Sequence, residues 1–235
     1  MNNQPVIEAD PSLYHLPGFH EPFSAISHLF GAFVFLILGA ILLVRSRDNP
    51  RGLIYLAVYS SSVVLLLAMS GVYHMMVRGG MAHQVFQRLD HCAIFFLIAG
   101  TFTPALGILL EGWMRWGPLV FIWAAAIAGV TLKSIFFENM AEWLGLSLYL
   151  AMGWFGIVSG VMIARRYGYN LVRPLLYGGI AYSVGALIDF LQFLVVIPGV
   201  VHPHEIFHVA VLMGAFWHWL FIWQFAAGDK KPIEP

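Results

Sequence analysis

Ten histidines in a chain of 235 residues give the first chemical signal. His204 and His208 are four apart, so on a helix they share one face. Ser70 and His74 repeat that spacing, Asp90 and His91 are adjacent, and His28 and Asp189 each fall inside an apolar stretch. Three imidazoles, with a carboxylate or a water as the fourth ligand, form the donor set of a catalytic zinc. Such an ion lowers the pKa of bound water to about 7 and makes hydroxide available at neutral pH. A histidine pair of this spacing is equally satisfied by hydrogen bonds between helices, and on spacing alone both readings stay open. His83 and His202 fall between apolar stretches, and His15 and His20 fall in a polar N-terminus, so all four read as solvated. His218 lies ten residues beyond His208 in the same apolar stretch, about 15 Å on a helix, and reads as a packed core residue.

These residues need elements to hold them. Apolar residues make up 60% of the chain and charged residues 10%, against about 25% charged in an ordinary soluble domain. A soluble fold of this size cannot hide so much apolar surface, whereas lipid removes the need. Seven stretches are long enough to cross a bilayer as helices, which takes about 20 residues each. They run over 26–44, 53–73, 92–110, 118–137, 143–164, 175–197 and 205–226. The apolar runs are too long for strands and do not alternate. Short polar breaks between them imply antiparallel neighbours, and frequent Gly and Ala suit close packing in lipid. The expected class is all-α, an integral membrane bundle of seven transmembrane helices. A polar segment, 1–22, precedes a membrane domain, 23–227, and a short polar tail, 228–235, follows. The N-terminus lacks the basic start and short apolar core of a cleaved signal peptide. The 12 basic residues balance the 12 acidic ones, which argues against a nucleic-acid partner and leaves membrane lipids as the expected one. Cys92 is the single cysteine, so no internal disulfide can form.

Seven crossings impose a parity. The N-terminus shares a side with the connections after spans two, four and six. His28, His74, Asp90, His91, Asp189, His204 and His208 all fall in the half of the membrane next to that side. Ionisable groups in a membrane are costly and face the bundle interior, so a common depth for residues so far apart in sequence points to one site. The same parity sorts the basic residues. Arg78, Arg88 and Lys133 lie on the N-terminal side, and the other nine of the 12 lie on the opposite side. The positive-inside rule then places the C-terminus in the cytoplasm of a multi-pass protein of the plasma (inner) membrane.

Five separated motifs carry a resemblance. Ser27-His28-Leu-Phe-Gly31 with Glu21, Ser70-Gly-Val-Tyr-His74, Arg88-Leu-Asp-His-Cys-Ala-Ile94 running into Ala99-Gly-Thr-Phe-Thr-Pro104, Tyr149-Leu-Ala-Met-Gly-Trp154, and His204-Glu-Ile-Phe-His208 with Trp217-His218 occur in order. The chain resembles the hemolysin III family, the bacterial branch of the progestin and adipoQ receptor superfamily. The resemblance implies seven helices around a zinc site. It assigns the zinc histidines to His74, His204 and His208, places Asp90 on the metal directly or through its water, and places Ser70 in the site. Asp90 and Ser70 are then the catalytic candidates. His28, His91 and Asp189 are candidates to support the ligands, Asp189 standing where relatives more often carry an uncharged residue. Ceramidase-like members of the superfamily imply a zinc-dependent lipid amide hydrolase, and the bacterial members imply a role in membrane lipid homeostasis. A membrane-state sensor with structural zinc and a cytolytic pore are the alternatives. The pore fits least, because polar groups occupy only one half of the membrane. The superfamily is described with its N-terminus and metal site toward the cytoplasm, the reverse of what the charge bias gives here.

Overall fold

The computed structural model describes residues 19–230 and residue 232. Eight helices follow in order: α1 (Pro22–Arg45), α2 (Pro50–Met75), α3 (Met81–Leu109), α4 (Gly112–Ile135), α5 (Glu142–Trp154), α6 (Gly156–Tyr167), α7 (Tyr169–Leu191) and α8 (Pro203–Trp223). α5 and α6 form a single crossing, so the helices make seven membrane-length spans. Among the described residues there is no strand, only isolated bridge positions, including the pair Ile197 and Val201.

Proline opens α1, α2 and α8, where its missing N–H is not needed and its ring presets the backbone. Asn49 accepts a hydrogen bond from the Gly52 N–H at 3.1 Å at the start of α2. The Glu205 carboxylate accepts from the His202 N–H at 3.0 Å at the start of α8. Both satisfy donors that a helix start leaves without an internal partner.

α3 runs through the middle of the bundle. In its most apolar stretch 78% of residues are buried, against 39% or less in every other span. Small residues allow this. A methyl group on Gly100 would meet the Ser62 hydroxyl of α2 at 2.2 Å, so only glycine lets the two backbones approach so closely. Phe30, Phe33, Ile54 and Val120 point outward, as expected where lipid replaces water. Trp113 and Trp116 at the start of α4, Trp143 at the start of α5 and Tyr169 at the start of α7 are exposed, and mark the interfacial aromatic positions.

Several boundaries differ from the sequence expectation: α4 opens at Gly112 rather than 118 and α7 at Tyr169 rather than 175, and three further differences bear on the site. α3 begins at Met81, ahead of the apolar run: its opening residues are largely exposed, and the polar Gln87, Asp90 and His91 that follow line an interior cavity. His83 accordingly sits in a helix instead of a connection. α7 stops at Leu191 rather than at 197. Gln192 takes a left-handed backbone, φ 51°, and its side-chain amide donates to the Asp189 carbonyl. The apolar residues that follow, including β-branched Val195, Val196 and Ile197, reach a turn through Pro198 and Gly199 instead of extending the helix. Hydropathy does not separate these two outcomes. The fifth span breaks at Phe155, between Gly153 and Gly156, where the Val158 N–H bonds three residues back to the Phe155 carbonyl at 3.1 Å, a tightened turn.

α7 and α8 pack along most of their length. A methyl group on Gly185 would stand 2.4 Å from the Ala210 Cβ. This contact sets the distance between the helices one turn away from Asp189 and His208.

Candidate metal centre

His74 sits in the last turn of α2, and His204 and His208 lie in the first two turns of α8. One ligand nitrogen from each falls within 4.8 Å of the other two. The Nε2 atoms of His204 and His208 are 3.1 Å apart, and those of His204 and His74 are 3.4 Å apart. Two imidazole nitrogens bound to a tetrahedral zinc at 2.0–2.1 Å stand about 3.3 Å from each other. The spacing therefore fits a small divalent ion held by three nitrogens.

The far ring nitrogens orient the near ones. His74 donates from Nδ1 to Glu21, which precedes α1. His204 Nδ1 lies 3.3 Å from the Asp189 carboxylate. With those protons on Nδ1, both Nε2 atoms present lone pairs to the centre. Lone pairs aimed at one another repel, and a shared cation turns that repulsion into bonds. Carboxylate-to-histidine contacts of this kind are the usual outer support of a metal ligand. His208 lacks such a carboxylate, and its Nδ1 is buried without a hydrogen bond. Its ring is instead held by His28, whose own ring lies 3.9 Å away at 33° and whose Nε2 donates to the His208 carbonyl at 3.3 Å.

Glu21 also accepts from Arg78 at 2.8 Å. Its burial pushes the carboxyl pKa up, but the hydrogen bonds it accepts from His74 and Arg78, with the positive potential around it, outweigh that and bring it from 4.5 to about 2. Glu21 is thus an anion throughout the neutral range.

The three histidines open into a cavity of about 530 Å³. Ser70, Asp90, His91, Asp189 and His28 line the same cavity, so the structure brings every candidate residue of the sequence reading to one place. Their positions differ. Asp90 is outside the group of three ligand nitrogens, and is hydrogen-bonded by Ser70. His91 is turned away from the centre: its Nδ1 donates to the Gln87 carbonyl at 2.7 Å and its ring meets Phe137 edge-on. His202, expected to be solvated, is half-buried, and its Nε2 accepts from the Gly199 N–H at 3.0 Å. His83 packs on Tyr73 at 4.9 Å, and His20 lies 3.7 Å from Glu21. His218 packs edge-on against Tyr182 and donates to the Leu175 carbonyl at 3.2 Å, as a core residue does. His15 lies outside the described residues, as does most of the 1–22 segment.

Sequence reasoning missed two residues. Glu21 entered only as part of a motif, yet parity places it on the same side as the histidines, just ahead of the first span. Lys133 reads from the sequence as a span-end cation, whereas the structure buries it against the cavity.

A family model described as Haemolysin-III related matches residues 18–219. The chain belongs to that family. Hemolysin-3 of Bacillus cereus is 34% identical over 197 residues, which cover 82% of this chain and 85% of that one. The Hemolysin-3 homolog of Bacillus subtilis (strain 168) is 31% identical over 198 residues, covering 82% and 87%. The human Monocyte to macrophage differentiation factor is 27% identical over 198 residues, covering 80% and 77%. The matched segment of this haemolysin-III family member includes Glu21, His28, Ser70, His74, Asp90, His91, Asp189, His204 and His208.

Proposed function

We propose that the protein is a zinc-dependent hydrolase of a membrane lipid, with a lipid amide as substrate and membrane lipid homeostasis as its setting. The observation that carries this reading is the convergence of three imidazole nitrogens on one point at the wall of a large cavity within the bundle. When bound, zinc would supply a water activated near neutral pH and would polarise the carbonyl under attack. His74, His204 and His208 would hold the ion. Asp90 would take a proton from the attacking water and deliver it to the leaving amine, acting as general base and then general acid. Ser70 would keep the Asp90 carboxylate in place through its hydroxyl. Glu21, Asp189 and His28 would fix the three rings. The remaining cavity would take the lipid, reached through the apolar surroundings of the bundle.

One observation favours a second reading, a sensor in which the metal is structural. α2 and α8 share little direct contact along their backbones, so an ion bound by His74, His204 and His208 would itself tie the two helices together.

Metal analysis and turnover together decide between these. Purified protein is expected to carry about one zinc per chain, and a variant with alanine at His74, His204 and His208 is expected to carry none. Asp90→Ala is expected to keep its zinc while amide hydrolysis falls by roughly 100-fold or more, the usual scale of lost acid–base catalysis. Zinc-loaded wild-type protein that hydrolyses no amide or ester lipid would support the sensor instead.

A further inference from the structure

Lys133 is a buried cation that, among the described residues, makes no ion pair. It lies in the last turn of α4 and is 7% exposed. Lysines near the end of a span ordinarily extend to the interface, where the ammonium stays hydrated. This one folds inward. Its Nζ sits 4.9 Å from the centre of the Phe137 ring, which offers a lysine partial compensation. Among the described residues its Nζ makes no ion pair and no hydrogen bond. Of the nearby acids, Glu138 is bound by Arg88 at 3.1 Å, and Glu142, which lines the same cavity, is exposed and interacts with the ammonium only at a distance, without an ion pair.

Gly145 of α5 faces the ammonium, and a methyl group there would just touch Nζ, at 3.4 Å. Lys133 lines the same cavity as the three histidines. The histidines enter from α2 and α8, whereas Lys133 enters from α4 and faces α5. The cavity therefore has two chemically distinct walls, one that gathers nitrogen donors and one where the buried Lys133 ammonium stands opposite the exposed Glu142 carboxylate without pairing with it. Burying an unpaired charge is costly in apolar surroundings, and such groups in a membrane mark partners that arrive from elsewhere.

We propose that Lys133 is a specificity-determining residue, binding the anionic group, a phosphate or carboxylate, of a single-chain lipid whose acyl carbonyl reaches the histidine cluster. The proposal rests on the cavity being a lipid site, as the hydrolase reading requires, and it adds the charge of the substrate. A neutral lipid of the same chain would fill the same space but leave the ammonium unpaired.

Full-length protein in neutral detergent can be titrated with oleoyl lysophosphatidate, with monooleoylglycerol and with inorganic phosphate. Native mass spectrometry and thermal unfolding follow binding without any turnover. The wild type is expected to bind the phosphate lipid at least tenfold more tightly than the neutral one. Lys133→Met is expected to abolish that preference and Lys133→Arg to keep it. Without lipid, Lys133→Met is expected to melt no lower than wild type, because a neutral chain of similar length removes a buried charge. Lys133→Gln replaces it in the titration if it does melt lower. Equal binding of both lipids by the wild type, or a preference that survives Lys133→Met or Lys133→Gln, overturns the proposal. Displacement of the lipid by equimolar inorganic phosphate assigns the site to a free anion and also overturns it. Lipid turnover without charge preference sinks this inference alone. Charge preference in a protein that neither holds zinc nor hydrolyses lipid sinks the hydrolase reading alone.

Discussion

The imidazole of His74 is held from behind by a carboxylate that belongs to no membrane span. Glu21 stands just ahead of α1, accepts the Nδ1 proton of His74 and shares its charge with Arg78. An amide at this position could still accept that proton but would carry no charge to favour it. Glu21→Gln is therefore expected to lower metal affinity about 10- to 100-fold, the scale seen when such outer partners are changed, as measured by competition with a chelating dye. Unchanged affinity would mean that His74 is oriented by its packing alone. His74, His204, His208 and Asp90 could be found from the sequence because a charged or titratable group inside an apolar run is conspicuous. Glu21 lies in a polar stretch where a carboxylate needs no explanation, so its role appears only when α1 and α2 are seen side by side. The same blindness applied to Lys133. A lysine at a span end has two ordinary fates, outward to the interface or inward to the bundle, and only side-chain packing decides which.

At the scale of elements, the paired helices α7 and α8 carry Asp189, His204 and His208, so the contact between them governs the supported half of the centre. Gly185 leaves no room for a side chain against Ala210. Gly185→Leu is expected to force the helices apart, destabilising the bundle by about 1–3 kcal/mol, the ordinary cost of overpacking. It should also reduce zinc occupancy. Melting in detergent and metal content check the two effects, and a variant that melts like wild type with full zinc would show that the helix separation does not govern the centre. The existence and number of the spans were legible because long apolar runs have few alternatives in lipid. Their ends were less so. The stretch after Leu191 is apolar enough to continue the helix, yet its β-branched residues and the following Pro198-Gly199 pair make a turn. The early start of α3 escaped a hydropathy reading for the opposite reason: Gln87, Asp90 and His91 are polar because they face the cavity, not because they lie outside the membrane.

For the whole molecule, sidedness is the open quantity that charge addresses most directly. The three basic residues on the N-terminal side are not free charges: Arg78 is paired with Glu21, Arg88 with Glu138, and Lys133 is buried. By the parity of the spans, the other nine basic residues, among them Arg45, Arg165 and Arg166, are expected on the opposite side. The positive-inside rule then predicts a cytoplasmic C-terminus and an outward-facing candidate metal site. A green fluorescent fusion at the C-terminus is expected to fluoresce, and an alkaline phosphatase fusion there is expected to be inactive. An active phosphatase would reverse the orientation and agree with the description of the wider superfamily. The route of the chain through the centre also has a consequence in time. His74 and His204 are separated by 130 residues, so a ribosome adding 5–20 residues per second finishes the second roughly 7 to 26 s after the first. During that interval α2 waits in the membrane with a single ligand. Until the span that carries His204 and His208 is made, His74 would be the one ligand in place, so an ion held by all three histidines would be captured only after that span has joined α2.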